Sequence, residues 1–309
     1  MPKRIAVVGG ANMDIGGFPD AALVAGDSNP GWVRMTMGGV GRNIAENCAR
    51  LGLEVELLTA VGDDPNGRAI LEDCRSKGIG TRGVYVAPEE STSVYLFVDD
   101  ARGDMSVAIN DMAIQARITP EYLQAQLPML NGMDAVVIDA NLAEDTIRFL
   151  AENVTAPLFA DAVSAAKVGK LRGSLGSIHS LKPNRIEAEL LTGVKIEGVL
   201  NANEAINRLL DMGLKRVFLT MGAQGALCAD GSQCLYLPGS ERSIVNASGA
   251  GDAFTAALVW SFCEGLTLRE CDIAGMAASS IAMESISAVN PEMCSERLRE
   301  RMRQIEKTI

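Results

Sequence analysis

An α/β fold is what this sequence predicts: a mostly parallel central sheet between two helical layers, a three-layer αβα sandwich carrying a small β-lid. Three observations lead there. Short β-rich apolar runs alternate along the chain with stretches of helical length and period. Two segments, about 13–37 and 92–112, interrupt that alternation with turn and strand chemistry of their own. The 309 residues, 48% hydrophobic and 22% charged, suit one large domain over 1–309 that buries a substantial core unaided.

The same numbers narrow the function. A net charge of -11 argues against a nucleic-acid polymer as partner, because phosphate contacts demand clustered Lys and Arg. Met1 to Gly10 holds only the short apolar run Ile5 to Val8, not a signal-peptide core, so a cytoplasmic location is expected. The longest apolar stretch, about Ala253 to Cys263, falls short of the roughly 20 residues of a membrane span, and no membrane association is expected. Seven scattered cysteines, without a CxxC pair, read as reduced and mostly buried thiols. The single histidine, His179, leaves no second base for a Ser-His-Asp triad and excludes multi-histidine metal sites.

In chain order, Ile5 to Val8 is the first buried strand, and Asn12-Met13-Asp14 stands where the chain leaves it. In a parallel sheet, ligands bind beyond the C-terminal strand ends, so Asp14 is placed to grip two vicinal hydroxyls; an ordinary turn residue explains it as well. Ile15 to Met37 contains six Gly or Pro residues and little helical period. Ser93 to Val98 and Met105 to Ile109 flank the turn Asp99 to Gly103 as a hairpin. Both segments read as a lid that excludes water from a strand-end cleft, or else as surface loops and an edge hairpin.

Gly38-Gly39-Val40-Gly41-Arg42-Asn43 leads into a helix over Asn43 to Leu51, with Asn43 able to donate to and accept from sugar hydroxyls. It follows the lid segment, not a strand, and lacks the third glycine of a dinucleotide fingerprint. Val55 to Thr59, Ala135 to Asp139, Leu158 to Asp161 and Val217 to Thr220 are further strands. Asp145 to Glu152, Ala202 to Met212, Gly251 to Cys263 and Leu268 to Met283 are further helices.

Three clusters suit a nucleotide. Asn184 and Glu187 stand one helical turn apart in Lys182-Pro183-Asn184-Arg185-Ile186-Glu187, suited to Mg2+ through water and to phosphate oxygens. Thr220-Met221-Gly222-Ala223-Gln224-Gly225 follows a strand with glycines that free backbone N–H groups for an anion. A helix N-cap and a β-turn explain these two equally well. In Asn246-Ala247-Ser248-Gly249-Ala250-Gly251-Asp252, tiny residues run into an apolar helix, so N–H groups backed by the helix dipole face an anion. Asp252, in the first turn, is placed to accept a proton from an attacking hydroxyl or simply to cap the helix. No Lys-Ser/Thr follows the glycines, so this is not a Walker A loop.

The ordered set Gly38-Gly39 to Asn43, Asn184-x-x-Glu187 and Gly249-Ala250-Gly251-Asp252 resembles the signatures of the ribokinase-like (PfkB) family of sugar and nucleoside kinases, over essentially the whole chain. The resemblance implies an ATP-dependent phosphotransferase with Asp252 as base and Gly249, Ala250 and Gly251 as anion hole. It implies Asn184, Thr220, Gly222, Gly225, Gly249 and Gly251 along the ATP, and Glu187 on Mg2+ through water. Asn12, Asp14, Gly39 and Asn43 would hold the sugar near Asp252. The family usually carries Asp-Thr where this chain has Asn246-Ala247-Ser248; that segment helps form a monovalent-cation site in many members, so Asn246 and Ser248 leave K+ activation open. Pairing of lid edges in the family implies a homodimer through the lid.

Within the family the likeness is strongest to pseudouridine kinases, on Ala25 to Gly31, Gly39 to Ala45 and Ala108 to Met112. It implies transfer to a nucleoside 5'-hydroxyl, with Ser28, Asn110 and Asp111 sorting the base by hydrogen bonds, since pseudouracil presents one ring N–H more than uridine does. Another nucleoside or sugar as acceptor, or a non-catalytic sensor on the same fold, are the alternatives.

Overall fold

Period-2 alternation inside each apolar strand decides what lies on either side of the central sheet. The computed structural model describes residues 2–239 and 246–308. Its eight-stranded sheet runs in the order Cys234–Leu237, Ala226–Asp230, Arg216–Thr220, Ser180–Lys182, Leu158–Asp161, Ala135–Asp139, Arg4–Val8, Glu54–Leu58. The six strands from Arg216–Thr220 to Glu54–Leu58 are parallel, and the two at the other edge are antiparallel.

Ile5 and Val7 point to one face, where they pack with Val137, Phe159 and helices Val40–Arg50, Ala250–Cys263 and Leu268–Ala282. Ala6 and Val8 point to the other, with Ile138, Ala160 and helices Glu144–Asn153, Arg185–Thr192 and Val199–Asp211. Strands such as Arg4–Val8 and Ala135–Asp139 are apolar between their ends because both faces are covered. The first strand lies between Ala135–Asp139 and Glu54–Leu58, so the direction of winding reverses beside it, and the cleft opens at the strand ends there.

A second sheet of four strands, in the order Gly31–Gly38, Asn12–Pro19, Val94–Asp99, Met105–Asp111, grows from the residues after the first strand. Register sorts its side chains. Asp14 pairs with Thr36 and Tyr95, Gly16 with Arg34 and Phe97, and Phe18 with Trp32, all on one face. Ile15, Val33, Met35, Leu96, Val107 and Ile109 occupy the other, and Val33 and Ile109 are 68% and 62% exposed.

The five expected strands and five expected helices all form. The helix expected from Asn43 begins at Val40, because Gly39, at φ 99°, ends the preceding strand and turns the chain into the helix. Three central strands were not foreseen: Ser180–Lys182 has only three residues, and Ala226–Asp230 and Cys234–Leu237 form an edge hairpin with little alternation. All seven cysteines are unpaired; four are buried and Cys234 is exposed. Among the described residues no helix is long and apolar enough to cross a membrane.

Asp272 is a fully buried core carboxyl whose oxygens meet no N–H or O–H donor among the described residues, with the Cys228 thiol as a weak partner that only partly offsets burial. Burial pushes its pKa up to about 7. A carboxyl whose folded pKa exceeds its unfolded one stabilises the fold at low pH, and that contribution is lost as pH rises through about 7. Asp272→Asn is therefore expected to leave thermal stability unchanged near pH 4 and to raise it by up to roughly 4 kcal/mol at pH 8, read from melting curves at both pH values.

Candidate active site

The C-terminal strand ends bring Gly9-Gly10, Asp139, Asp161 and Lys182 to one side of the sheet, and helix Ala250–Cys263 meets them with its N-terminus. Its N-cap, Gly249, is left-handed at φ 76° and ψ -5°, and a Cβ there would collide with the Ala288 carbonyl, so only glycine fits. Asp252 sits in the first turn, buried, with Oδ2 accepting from Asn43 Nδ2 at 2.9 Å. Two glycine-led helices, from Gly39 and from Gly249, are thus joined by the amide and carboxyl singled out from the sequence.

Lys182 is also buried, with Nζ 3.2 Å from Asp161 Oδ2. A Cβ built at Gly251 would lie 2.8 Å from the same Nζ, so the ammonium rests against the glycine turn. Asp161 accepts from Thr255 Oγ1 at 2.7 Å and from the Val163 N–H at 2.8 Å. Burial alone would raise Asp161; Lys182 and these two donors outweigh it and hold the carboxyl below its usual range. Burial alone would lower Lys182; Asp161, Glu187 and Asp252 together raise it instead. Asp252 is pushed up to about 7 by burial and then by the Asp161 charge, against the opposing pull of Asn43 and Lys182. Burial is the main cause of that raised value, and the neighbouring Asp161 carboxylate adds to it. A carboxyl near neutrality is well matched to proton transfer at physiological pH.

Toward the small sheet, Asn12 Nδ2 donates to Asp14 Oδ1, and Asp14 packs so closely over Gly38 that a side chain there would displace it. Burial raises Asp14, opposed by Asn12 and Arg42. Gly39 lies against Gly10: a Cβ would meet its carbonyl at 2.5 Å. Arg42, 3% exposed, donates to Asn43 Oδ1 at 3.1 Å and pairs with Glu46 and Asp73, which fixes the Asn43 amide with its nitrogen toward Asp252. Asn141 accepts from Lys167 Nζ at 2.6 Å and borders Gly10.

On the sheet's other side, Asn184 and Glu187 form a reciprocal capping box, with Asn184 Oδ1 accepting from the Glu187 N–H and Glu187 Oε2 from the Asn184 N–H. Thr220 bridges in parallel to Asn184, and Gly222 and Gly225, at φ 60° and 97°, shape the turn that follows. Asn246 Oδ1 accepts from the Ser248 N–H and its Nδ2 donates to the Ile286 carbonyl, so both ends of that amide hold loops together.

Two expected contacts are not brought to the others. Ser28 lies in the loop beyond Pro19, tied internally by Asp27 and Asn29, far along the strand from Asp14. Asp111 pairs with Val94 on the face opposite Asp14 and caps Ala113, whereas Asn110 pairs with Tyr95 on the Asp14 face. Lys182, Asp161 and Arg42 went unassigned; the first two end apolar strands, a position that signals a site once the strands are placed.

Residues 2–293 match the family described as pfkB family carbohydrate kinase. The chain is 36% identical to the pseudouridine kinase of Escherichia coli (strain K12), over 94% of this chain and 93% of that one. It is equally identical, at 36%, to an uncharacterised sugar kinase of the same organism, over 94% of this chain and 81% of the other. A carbohydrate kinase from Agrobacterium tumefaciens superposes with a TM-score of 0.86 at 31% identity, covering 97% of each chain.

Proposed function

The chain belongs to the pfkB family of carbohydrate kinases and is a phosphotransferase acting on an alcohol group of a sugar or nucleoside, and from that premise we propose that it transfers phosphate from ATP to the 5'-hydroxyl of pseudouridine. The observation that carries this reading is the Asn43–Asp252 contact at 2.9 Å beside the Gly249 turn, with Asn43 on the helix that follows the Gly38 backbone against which Asp14 packs. The name of the 36% identical relative supports the acceptor.

In this reading Asp14, Asn12, Gly39 and Asn43 hold the ribose, and Asp252 takes the proton of the 5'-hydroxyl. Gly249, Ala250 and Gly251 present N–H groups to the transferred phosphate, and Lys182 compensates its charge. Asn184, Thr220, Gly222 and Gly225 border the nucleotide. The reaction has a loose transition state, so alignment and charge compensation carry most of the acceleration. Buried Glu187, whose pKa burial raises, is a carboxyl that a nearby cation would stabilise, and it fits Mg2+ held through water. When bound, Mg2+ neutralises charge on the phosphate oxygens. The Asn246 side-chain oxygen accepts the Ser248 N–H and keeps a second lone pair, so it is the oxygen this segment offers to K+.

The whole chain then works as one domain, with the small sheet over about 13–37 and 92–112 as its lid. The exposed aliphatic face of Val33, Met35, Val107 and Ile109 is covered by a second copy, making a homodimer through the lid whose mass in solution reads it directly.

ADP release with Mg-ATP is the test, with pseudouridine, uridine, cytidine, adenosine, ribose and fructose under matched conditions. Turnover strongest with pseudouridine is expected. Preference for another acceptor would replace the substrate and keep the transfer chemistry.

A further inference from the structure

Alternation along the strands of the small sheet gives the Asp14 face a composition unlike its reverse. Asp14, Thr36, Tyr95 and Asn110 form a first polar row. Two residues on, about 7 Å along the strands, Gly16, Arg34 and Phe97 form a second. Gly16 has a specific reason to be glycine: a Cβ there would lie 2.5 Å from Phe97 Cζ, so the ring lies flat across the bare backbone. Beyond it Phe18 and Trp32 stack at 4.1 Å and 14°, and the Arg34 guanidinium sits 5.0 Å from the Phe18 ring and 5.8 Å from that of Trp32. Those rings hold the cation in place without consuming its N–H donors.

We propose that this face is a nucleobase subsite, in which Phe97 stacks on the ring and Arg34 donates to the carbonyl oxygens of a pyrimidine-2,4-dione. The inference rests on the nucleoside reading above and deepens it. Continuity with the site carries it: Asp252 is bonded to Asn43, Asn43 stands on the helix that starts at Gly39, and Asp14 packs on Gly38. With a nucleoside's diol on Asp14, the base lies toward the second row, one step further along the strands. A guanidinium has donors only, so it complements carbonyls and offers nothing to an amino group. Tyr95 and Asn110 supply the acceptors for ring N–H groups; among the described residues the Tyr95 hydroxyl is engaged with Met105 Sδ, a weak partner readily exchanged. A free sugar would end at the first row and leave the aromatic row untouched.

Steady-state kinetics with pseudouridine on Arg34→Ala and Phe97→Ala test this, together with fluorescence of the unmutated enzyme, whose two tryptophans are Trp32 on this face and the buried Trp260. Each substitution is expected to raise the nucleoside KM about ten- to hundredfold, the worth of a charge-assisted hydrogen bond or a stacked base, with kcat little changed. Arg34→Lys should recover part of the loss. Pseudouridine without ATP should change the Trp32 emission, and ribose should not. Wild-type turnover of pseudouridine with KM unmoved in both variants, or with kcat falling as far as KM rises, overturns the subsite alone. An enzyme that turns over ribose but no nucleoside, with Trp32 silent to all of them, overturns the nucleoside reading and the subsite together.

Discussion

Asp252→Asn is expected to lower kcat by about 10²- to 10⁴-fold, the usual worth of a positioned general base, while the KM values for nucleoside and ATP move little. The substitution keeps the shape of the group and its place beside Asn43, so ground-state binding has no reason to fail. Stability separates this outcome from misfolding. The Asp252 carboxyl has a folded pKa of about 7, well above that of an unfolded carboxylate, so the folded state holds an extra proton between roughly pH 4 and 7. Its contribution is present at low pH and lost as pH rises through about 7, so the variant should melt no lower than wild type at pH 8. The same pKa sets the rate profile. For the wild type, log kcat/KM should rise with pH and level off above about 7, and for the variant that limb should be absent. Near-normal turnover by Asp252→Asn would sink the assignment.

Most of the frame was legible because its rules are local. Apolar runs such as Ala135 to Asp139 carry no charge until their last residue, and that residue lies at the sheet edge where the cleft opens. Gly39 and Gly249 were legible as helix-leading glycines, and both prove to be positions where a Cβ would strike another strand or loop. Partnership across long sequence distances was not legible. Asn43 and Asp252 stand 209 residues apart, and only the packing of two helices brings them to 2.9 Å. Lys182 received no role of its own in the string that leads to Asn184 and Glu187, because its strand has only three residues. Asn110 and Asp111 looked equivalent in the sequence, yet adjacent strand residues face opposite sides, and the register decides which one shares a face with Asp14. Arg34 and Gly16 drew no notice as single residues; their meaning lies in a pairing of two strands with a ring from a third.

Lys182→Met should be the most damaging single change outside the base, for two reasons that can be measured apart. The first is structural. Asp161, 3% exposed, would keep only Thr255 and a backbone N–H, and breaking a buried ion pair costs about 3–5 kcal/mol. The pair's contribution is steady across neutral pH. Asp161 has a depressed folded pKa, so its share is lost only as pH falls below the ordinary carboxylate range; Lys182 has a raised one, so its share is lost only above the ordinary lysine range. The second is catalytic. The ammonium rests on the Gly251 turn, so its loss removes compensation for the transferred phosphate, an effect of about 10²- to 10³-fold in kcat for a comparable single donor. It also removes a charge that now holds Asp252 down, so the acid limb of the rate profile should move to higher pH. The double change Asp161→Asn with Lys182→Met divides the two effects, because it removes the stranded carboxylate along with the cation. Melting should recover toward wild type in the double variant while turnover stays low. Recovery of both would reduce Lys182 to a partner of Asp161, and recovery of neither would place the damage in the packing around Thr255.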